Sequence, residues 1–104
     1  MLVPRGSCLV VFLSLRSPGD DAEYEALAER MAELVQGQRG FLGSVSVRDP
    51  QTRQGITAAS FSSEADALAW KRVSEHQVAQ QVGRERLYSD YHVIVTEVRR
   101  AYRP

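Results

Sequence analysis

The chain has 104 residues, 13 basic and 13 acidic side chains, 43% apolar residues and one cysteine. That length predicts one domain, and a formal net charge of zero with dispersed basic residues argues against nucleic-acid binding. The single Cys8 excludes an internal disulfide, and the longest apolar run, Cys8 to Leu13, is too short to cross a bilayer.

The first seven residues predict a cloning linker. Leu2 to Ser7 is the thrombin-cleavage sequence common in expression vectors, so we interpret residues 1–7 as linker and 8–104 as the domain. The alternative is a signal peptide, with Arg5 before the apolar stretch from Cys8 to Leu15. That stretch is short for a signal peptide and no small-x-small cleavage site follows it, so we expect a cytoplasmic protein without a membrane partner.

A strand and a helix come first in the domain. Cys8 to Leu15 is rich in branched and aromatic residues and is apolar on both faces, which predicts a strand covered on both sides. Asp20 and Glu23 then form a capping box at the start of a helix. Its apolar residues recur at helical spacing from Tyr24 to Val35, and Gly37 is the predicted end.

The middle of the chain predicts a hairpin. Phe41 to Arg48 alternates apolar and polar residues, as a strand does. Asp49 to Gly55 is rich in turn-forming residues, and Ile56 to Phe61 is a third predicted strand. The short loop between the two strands indicates that they pair with each other.

A second helix and a last strand complete the chain. Ser63 and Asp66 form another capping box, and the helix is predicted from about Glu64 to about Gln81, with Gly83 ending it. The final strand is predicted from Tyr88 to about Tyr102.

The element order β-α-β-β-α-β predicts an α+β, ferredoxin-like fold with a four-stranded antiparallel sheet. Right-handed crossovers put both helices on one face of that sheet. The other face would also be apolar, because the last strand carries Val93 and Val95 on one side and Ile94 on the other. We therefore expect two sheets to pack face to face in a homodimer. A lone domain with loops over the sheet is the alternative.

The second helix holds the residues best suited to chemistry. At 100° per residue, one stripe is predicted to face the core. The stripe comprises Ala65, Ala69, Val73 and His76. Trp70 lies about 120° around the helix from His76, and the small residues leave room for an aromatic ligand between helix and sheet. Structural roles in the core are the alternative for both His76 and Trp70.

Five further side chains are candidates near the helix exit and in the last strand. Arg84 and Arg86 are placed either to steer an anionic or phenolic substrate or simply to face solvent. Tyr88 and Tyr91 either present hydroxyl groups to a cavity or are structural strand aromatics. The face occupied by His92 depends on the strand register.

Several chemistries have no sequence support. Two histidines without a cysteine pair or a His-x-x-x-His spacing give no zinc site, so no metal is expected. The chain has neither a glycine-rich phosphate loop nor a Gly-x-Ser-x-Gly nucleophile motif.

Several stretches carry a resemblance to a known family. They are Tyr24 with the first helix, Gln38 to Gly43, Gly55 to Thr57, and residues spread from Ser63 to Tyr88. In these stretches the chain resembles the antibiotic biosynthesis monooxygenase family of the dimeric α+β barrel superfamily. The resemblance implies a homodimer, a cavity between sheet and helices in each subunit, and oxygenation of phenols by dioxygen without metal, flavin or haem.

The resemblance also implies roles for four residues. His76 would be the base or proton relay, Trp70 would stack on the ring system of a small aromatic substrate, and Arg84 or Tyr88 would hold the phenolate. Haem-degrading relatives use an asparagine, and this sequence has none, which disfavours haem degradation. A non-catalytic dimeric module that binds or senses a small molecule in the same cavity is the alternative function.

Overall fold

The computed structural model describes residues 1–19, 21–85 and 87–104, without the side chains of residues 81–85. Its elements are β1 (Cys8–Arg16), α1 (Asp21–Gln36), β2 (Phe41–Arg48), β3 (Gln54–Phe61), α2 (Glu64–Glu85) and β4 (Tyr88–Glu97). The four strands form one antiparallel sheet in the order β2-β3-β1-β4. The predicted α+β, ferredoxin-like element order is confirmed.

Both helices pack on the same face of the sheet. The larger buried cluster joins strand residues to side chains from α1 and α2. Its members are Cys8, Val10, Val35, Ala59, Phe61, Ala67 and Trp70. A smaller cluster of Leu27, Val78 and Leu87 lies beside Phe12. Burial of these apolar groups is the main favourable term that holds the helices against the sheet.

The helix boundaries agree with the prediction at the end of α1 and at the start of α2, and differ from it at the end of α2. Asp66 N–H donates to Ser63 Oγ at 3.2 Å, so Ser63 caps α2. Gly37 follows the end of α1, whereas Asp20 lies outside the described residues. α2 continues past Gly83 to Glu85, because an interior glycine costs a helix only about 1 kcal/mol relative to alanine and does not by itself end it.

The last strand is shorter than predicted. β4 ends at Glu97, opposite Cys8, because β1 offers no further partner in the ladder. Val98 is instead paired with the segment before β1: Gly6 N–H donates to Val98 O, and Val98 N–H donates to Ser7 O, both at 2.8 Å. The boundary after residue 7 stays a prediction.

A β-bulge near the start of β2 sets the orientation of the rest of that strand. Phe41 pairs with Phe61 and Gly43 pairs with Ser60, so one residue is inserted between the two pairs. Beyond the bulge, alternate residues turn toward the helices or away from them. Ser44, Ser46 and Arg48 face the helices, while the valines between them face away.

The sheet face opposite the helices is apolar and open. We call it the open face; its exposed large apolar side chains are Leu13, Leu15, Val45, Val47, Ile56 and Ile94. The strand registers place them in adjacent positions, with Val47 opposite Ile56 and Ile56 opposite Leu13. A contiguous apolar patch of this kind marks an interaction surface. None of the described helices is both long and apolar enough to cross a membrane.

Gly40 tests how closely the loop before β2 approaches the first turn of α2. Its φ is +77°, and a Cβ there would clash with the Asp66 carboxylate and lie 2.7 Å from Ser62 Oγ. The Asp66 and Ser62 side chains would have to turn away, so we expect Gly40→Ala to lower the free energy of unfolding by about 2–3 kcal/mol, of which about 1–2 kcal/mol comes from the left-handed backbone. Gly19→Ala, with φ +86° but open space around it, should cost only about 1–2 kcal/mol. Equal losses in urea titrations would contradict the predicted clash.

Candidate active site

A cavity of about 120 Å³ lies between the sheet and the two helices. One part of its wall is apolar and includes Val10, Met31, Val35, Ala59 and Trp70. The other part carries polar groups: Tyr24, Ser44, Ser46, Arg48, Thr57 and Tyr88. Ser46 Oγ and Thr57 Oγ1 are 2.8 Å apart and hydrogen-bonded to each other. An apolar cavity with a few converging polar groups is the usual form of a small-molecule site.

Trp70 lies in the cavity wall and is the one tryptophan of the sequence. The buried face of α2 is formed by Ala67, Trp70, Ser74 and Val78. Ser74 is tolerated there because its Oγ donates to Lys71 O at 2.8 Å. The indole therefore has small neighbours along its own helix and is positioned to pack against a bound ring; its substrate-binding role stays a prediction.

The prediction that His76 faces the core is wrong. His76 is exposed, does not line the cavity, and has its Nε2 3.2 Å from Nε2 of Gln80, one turn further on. Ala65 and Ala69 of the predicted stripe are exposed as well. Alanine is a good helix former in either environment, so an alanine stripe does not identify the buried face. A base at His76 has no contact with this cavity.

Of the remaining predicted residues, one lines the cavity, one lies on the open face, and two have side chains outside the described part of the chain. Tyr88 lines the cavity, with its ring 5.5 Å from that of Phe12. The side chain of Arg84 and the whole of Arg86 lie outside the described residues. His92 pairs with Leu13 and is exposed on the open face, on the other side of the sheet from the cavity.

Tyr88 is a neutral phenol in this environment. Burial raises its pKa above the usual value, and the charge and hydrogen bond of neighbouring Tyr24 raise it further. Arg48 and Arg16 act in the opposite direction but more weakly. The hydroxyl of Tyr88 therefore keeps its proton near neutral pH and can donate a hydrogen bond to an oxygen atom in the cavity.

Beside the polar part of the wall lies an arginine cluster that was not among the predicted site residues. Arg48 and Tyr24 line both the cavity and a neighbouring charged depression, which we call the basin; Arg16 and Arg53 also line it. The guanidinium carbon of Arg16 is 4.6 Å from the Tyr24 ring centroid, and that of Arg48 is 5.3 Å away. The one sequence signal for this cluster is that Arg48 alternates in step with Ser44 and Ser46 along β2, which puts the three side chains on the same face of the sheet.

Histidine, cysteine, aspartate and glutamate side chains are the common ligands of metal ions in proteins. No three histidine, cysteine, aspartate or glutamate side chains in the described part of the chain lie close enough together to hold a metal ion.

Residues 8–82 match the family model for antibiotic biosynthesis monooxygenase. The chain belongs to the antibiotic biosynthesis monooxygenase family. This match covers well over half of the chain and confirms the family resemblance seen in the sequence.

One relative by sequence and two proteins of known structure are similar to this chain. The uncharacterized protein YqjZ of Bacillus subtilis is 41% identical over 91 residues, which are 88% of this chain and 78% of YqjZ. A variant of SnoaB, a cofactor-independent oxygenase from Streptomyces nogalater, has the same fold, with a TM-score of 0.71 and 14% identity over 92% of this chain and 96% of SnoaB. PA3566 of Pseudomonas aeruginosa has a TM-score of 0.68 and 13% identity over 88% of this chain and 93% of PA3566.

The protonation of Tyr88 predicts a specific pH dependence of stability. Its pKa is higher in the folded than in the unfolded protein, so the stabilisation is complete below the unfolded value of about 10 and is lost as pH rises above it. When the pH is raised from 8 to 11, we expect the free energy of unfolding, measured by urea titration, to fall less in Tyr88→Phe than in wild type. Tyr102→Phe, at an exposed position, should follow wild type, and a Tyr88→Phe curve parallel to wild type would contradict the prediction.

Proposed function

We propose that this protein is a cofactor-independent monooxygenase that oxidises a phenolic or quinol-like ring in the cavity. The observation that carries the proposal is the pairing of Trp70 and other apolar groups with the proton donor Tyr88 and the cation Arg48 around one space. An apolar cavity of about 150 Å³ binds benzene, so a cavity of about 120 Å³ is close in size to one aromatic ring. Membership of the family and the likeness of fold to SnoaB support the same reaction class.

The proposed chemistry needs little from the protein beyond binding. The ionised ring passes one electron to dioxygen, and the two radicals combine to form a carbon–oxygen bond. The peroxide formed in this way takes up a proton from solvent, and the hydroperoxide then loses water and leaves a ring carbonyl, so one oxygen atom enters the product and the other enters water. The protein would hold the phenolate oxygen and keep bulk water away from the intermediate.

Polar groups of the cavity would favour the ionised substrate. A cation close to a phenol lowers its pKa, which is the effect expected of Arg48. Tyr88 remains protonated and would donate a hydrogen bond to the phenolate rather than accept its proton. Because His76 is exposed, we assign it no part in this step and expect the proton to leave to solvent.

The open face supports a homodimer as the working form. Six large apolar side chains are exposed on one side of the sheet, and covering them with a second copy would remove that surface from water. Two-fold packing of sheet on sheet would bring the same patch of each subunit together. The cytoplasmic location stays a prediction.

Oxygen uptake tests the proposed reaction. With a panel of phenols and hydroquinones, we expect turnover with one atom of ¹⁸O₂ in the product. Trp70→Leu should lower kcat/KM up to about tenfold, because an aromatic contact contributes about 0.5–1.5 kcal/mol beyond its buried area. His76→Ala should remain within about twofold of wild type.

Two outcomes of that experiment would contradict the proposal. Ligand binding that raises the melting temperature without any oxygen uptake would identify a non-catalytic binding module. Loss of turnover in His76→Ala with full activity in Trp70→Leu would show that catalysis takes place outside this cavity.

The dimer is tested at the centre of the open face. Ile56→Asp would place a carboxylate from each subunit in the apolar contact, so we expect a monomer at micromolar concentration by light scattering. Ala69→Asp, on the exposed side of α2, should remain a dimer. A dimer in both variants would exclude the open face as the interface.

A further inference from the structure

Two arginines converge on one aromatic ring where the cavity meets the basin. Arg16 ends β1 and Arg48 ends β2, and the guanidinium groups of both lie over the ring of Tyr24. Two like charges on the same ring repel each other, and negative charge held nearby reduces that cost. The ring faces of Tyr24 offset part of that cost through cation–π attraction.

The carboxylates that neutralise these arginines lie at the exposed rim. Asp21 Oδ1 is 3.5 Å from Arg16 Nη2, and Glu25 Oε1 is 3.2 Å from Arg48 Nη1. The Asp21 side chain is 67% exposed, whereas that of Arg16 is 14% exposed. Ion pairs with such exposed partners contribute little, so a ligand carboxylate can replace them.

The other charged groups of the basin have structural roles. Arg53 donates through Nε to Arg16 O at 3.3 Å and through Nη2 to Ser17 O, and it also contacts Asp21. Asp49 accepts the backbone N–H groups of Gln51 and Thr52, which lower its pKa and tie it to its own turn. Arg16 and Arg48 are therefore the cations left to bind a ligand.

Arg16 also has a buried donor without an acceptor. Its Nε is inaccessible to solvent and makes no hydrogen bond within residues 1–19, 21–85 and 87–104. Buried donors are nearly always paired in folded proteins, because losing hydration without a partner is costly. Because solvent does not reach this Nε, a ligand in the basin would pair with the terminal nitrogens of Arg16, and the Nε stays outside the proposed contact.

We infer that the substrate is an aromatic carboxylic acid, held by Arg48 and Arg16 through its carboxylate while its ring lies in the cavity. The planar donor fork of arginine matches a carboxylate, which stays ionised at neutral pH. Arg48 lines both spaces, so it is placed where the ring would join its charged substituent. The oxidation of this ring rests on the proposed function, whereas its binding does not.

Binding of two matched ligands tests the inference. The ligands are 2,5-dihydroxybenzoate, an anion at pH 7, and 2-methylhydroquinone, which has the same ring and hydroxyl groups but no charge. Quenching of Trp70, the one tryptophan of the chain, reports binding near the cavity, and calorimetry gives the affinities. We expect the acid to bind at least about tenfold more tightly than the neutral ring.

Arginine variants of the same protein locate the carboxylate. Arg48→Gln should remove the preference for the acid, and Arg16→Gln, at an arginine that lines the basin but not the cavity, should remove it while leaving the affinity for methylhydroquinone unchanged. Arg48→Lys keeps the charge without the fork and should retain part of the preference. Arg72→Gln removes an exposed arginine of α2 and should bind both ligands as wild type does.

The outcomes separate this inference from the proposed function. Equal affinity for the two ligands in wild type, or equal loss in Arg48→Gln and Arg72→Gln, overturns the carboxylate site. If the acid is preferred through Arg48 but no ligand consumes oxygen, the carboxylate site stands and the oxygenase proposal fails. If methylhydroquinone is oxidised while the acid shows no preference, the proposed function stands and this inference fails.

Discussion

The bulge in β2 is the constraint on which the arrangement of the cavity depends. Inserting one residue between the Phe41 and Gly43 pairs reverses the alternation of side chains for the rest of the strand. Without it, Val45 and Val47 would face the helices and Ser44, Ser46 and Arg48 would lie on the opposite side. One local irregularity therefore places Ser44, Ser46 and Arg48 in the polar part of the cavity wall and two apolar side chains on the open face.

Small side chains on the helices keep the space above that wall open. Ala28 and Ala32 of α1 are one turn apart and both line the cavity, as does Ser74 of α2. Protein interiors are close-packed, so a gap of this size persists only where facing positions are too short to meet. The closely packed residues form two clusters beside this space, one that includes Phe61, Val10 and Trp70 and one around Leu27 and Val78.

The sequence was sufficient for the fold because its signals are local and repeated. Periodicity, the Ser63 cap and the turn-rich loops indicate each element independently, and the element order restricts the topology. The face of α2 could not be predicted in the same way, since its apolar residues are spread around the helix. Trp70 and Val78 belong to the buried side, whereas Ala65 and Ala69 have no strong preference for either environment.

Most residues of the candidate site were hidden from sequence reasoning for a different reason. Tyr24, Arg16 and Arg48 are far apart along the chain, and their meeting depends on the strand register and on the bulge. An arginine at the end of a strand is ordinarily solvated, so composition does not single out Arg16 or Arg48, and the alternation of Arg48 with Ser44 and Ser46 does not say which face of the sheet they occupy. Of the residues that line the cavity, Trp70 and Tyr88 were predicted from the sequence, because large aromatic side chains often contribute to binding sites.

The electrostatics of the cavity follow from the same placement. A site built around His76 would have offered a general base. The described wall instead offers a guanidinium at Arg48, which stays charged, and a phenol at Tyr88, which stays neutral because it is buried. Groups of this kind stabilise negative charge on a bound molecule rather than remove its proton. In the proposed oxygenation, the reactivity toward dioxygen would therefore come from the acidity and electron richness of the substrate.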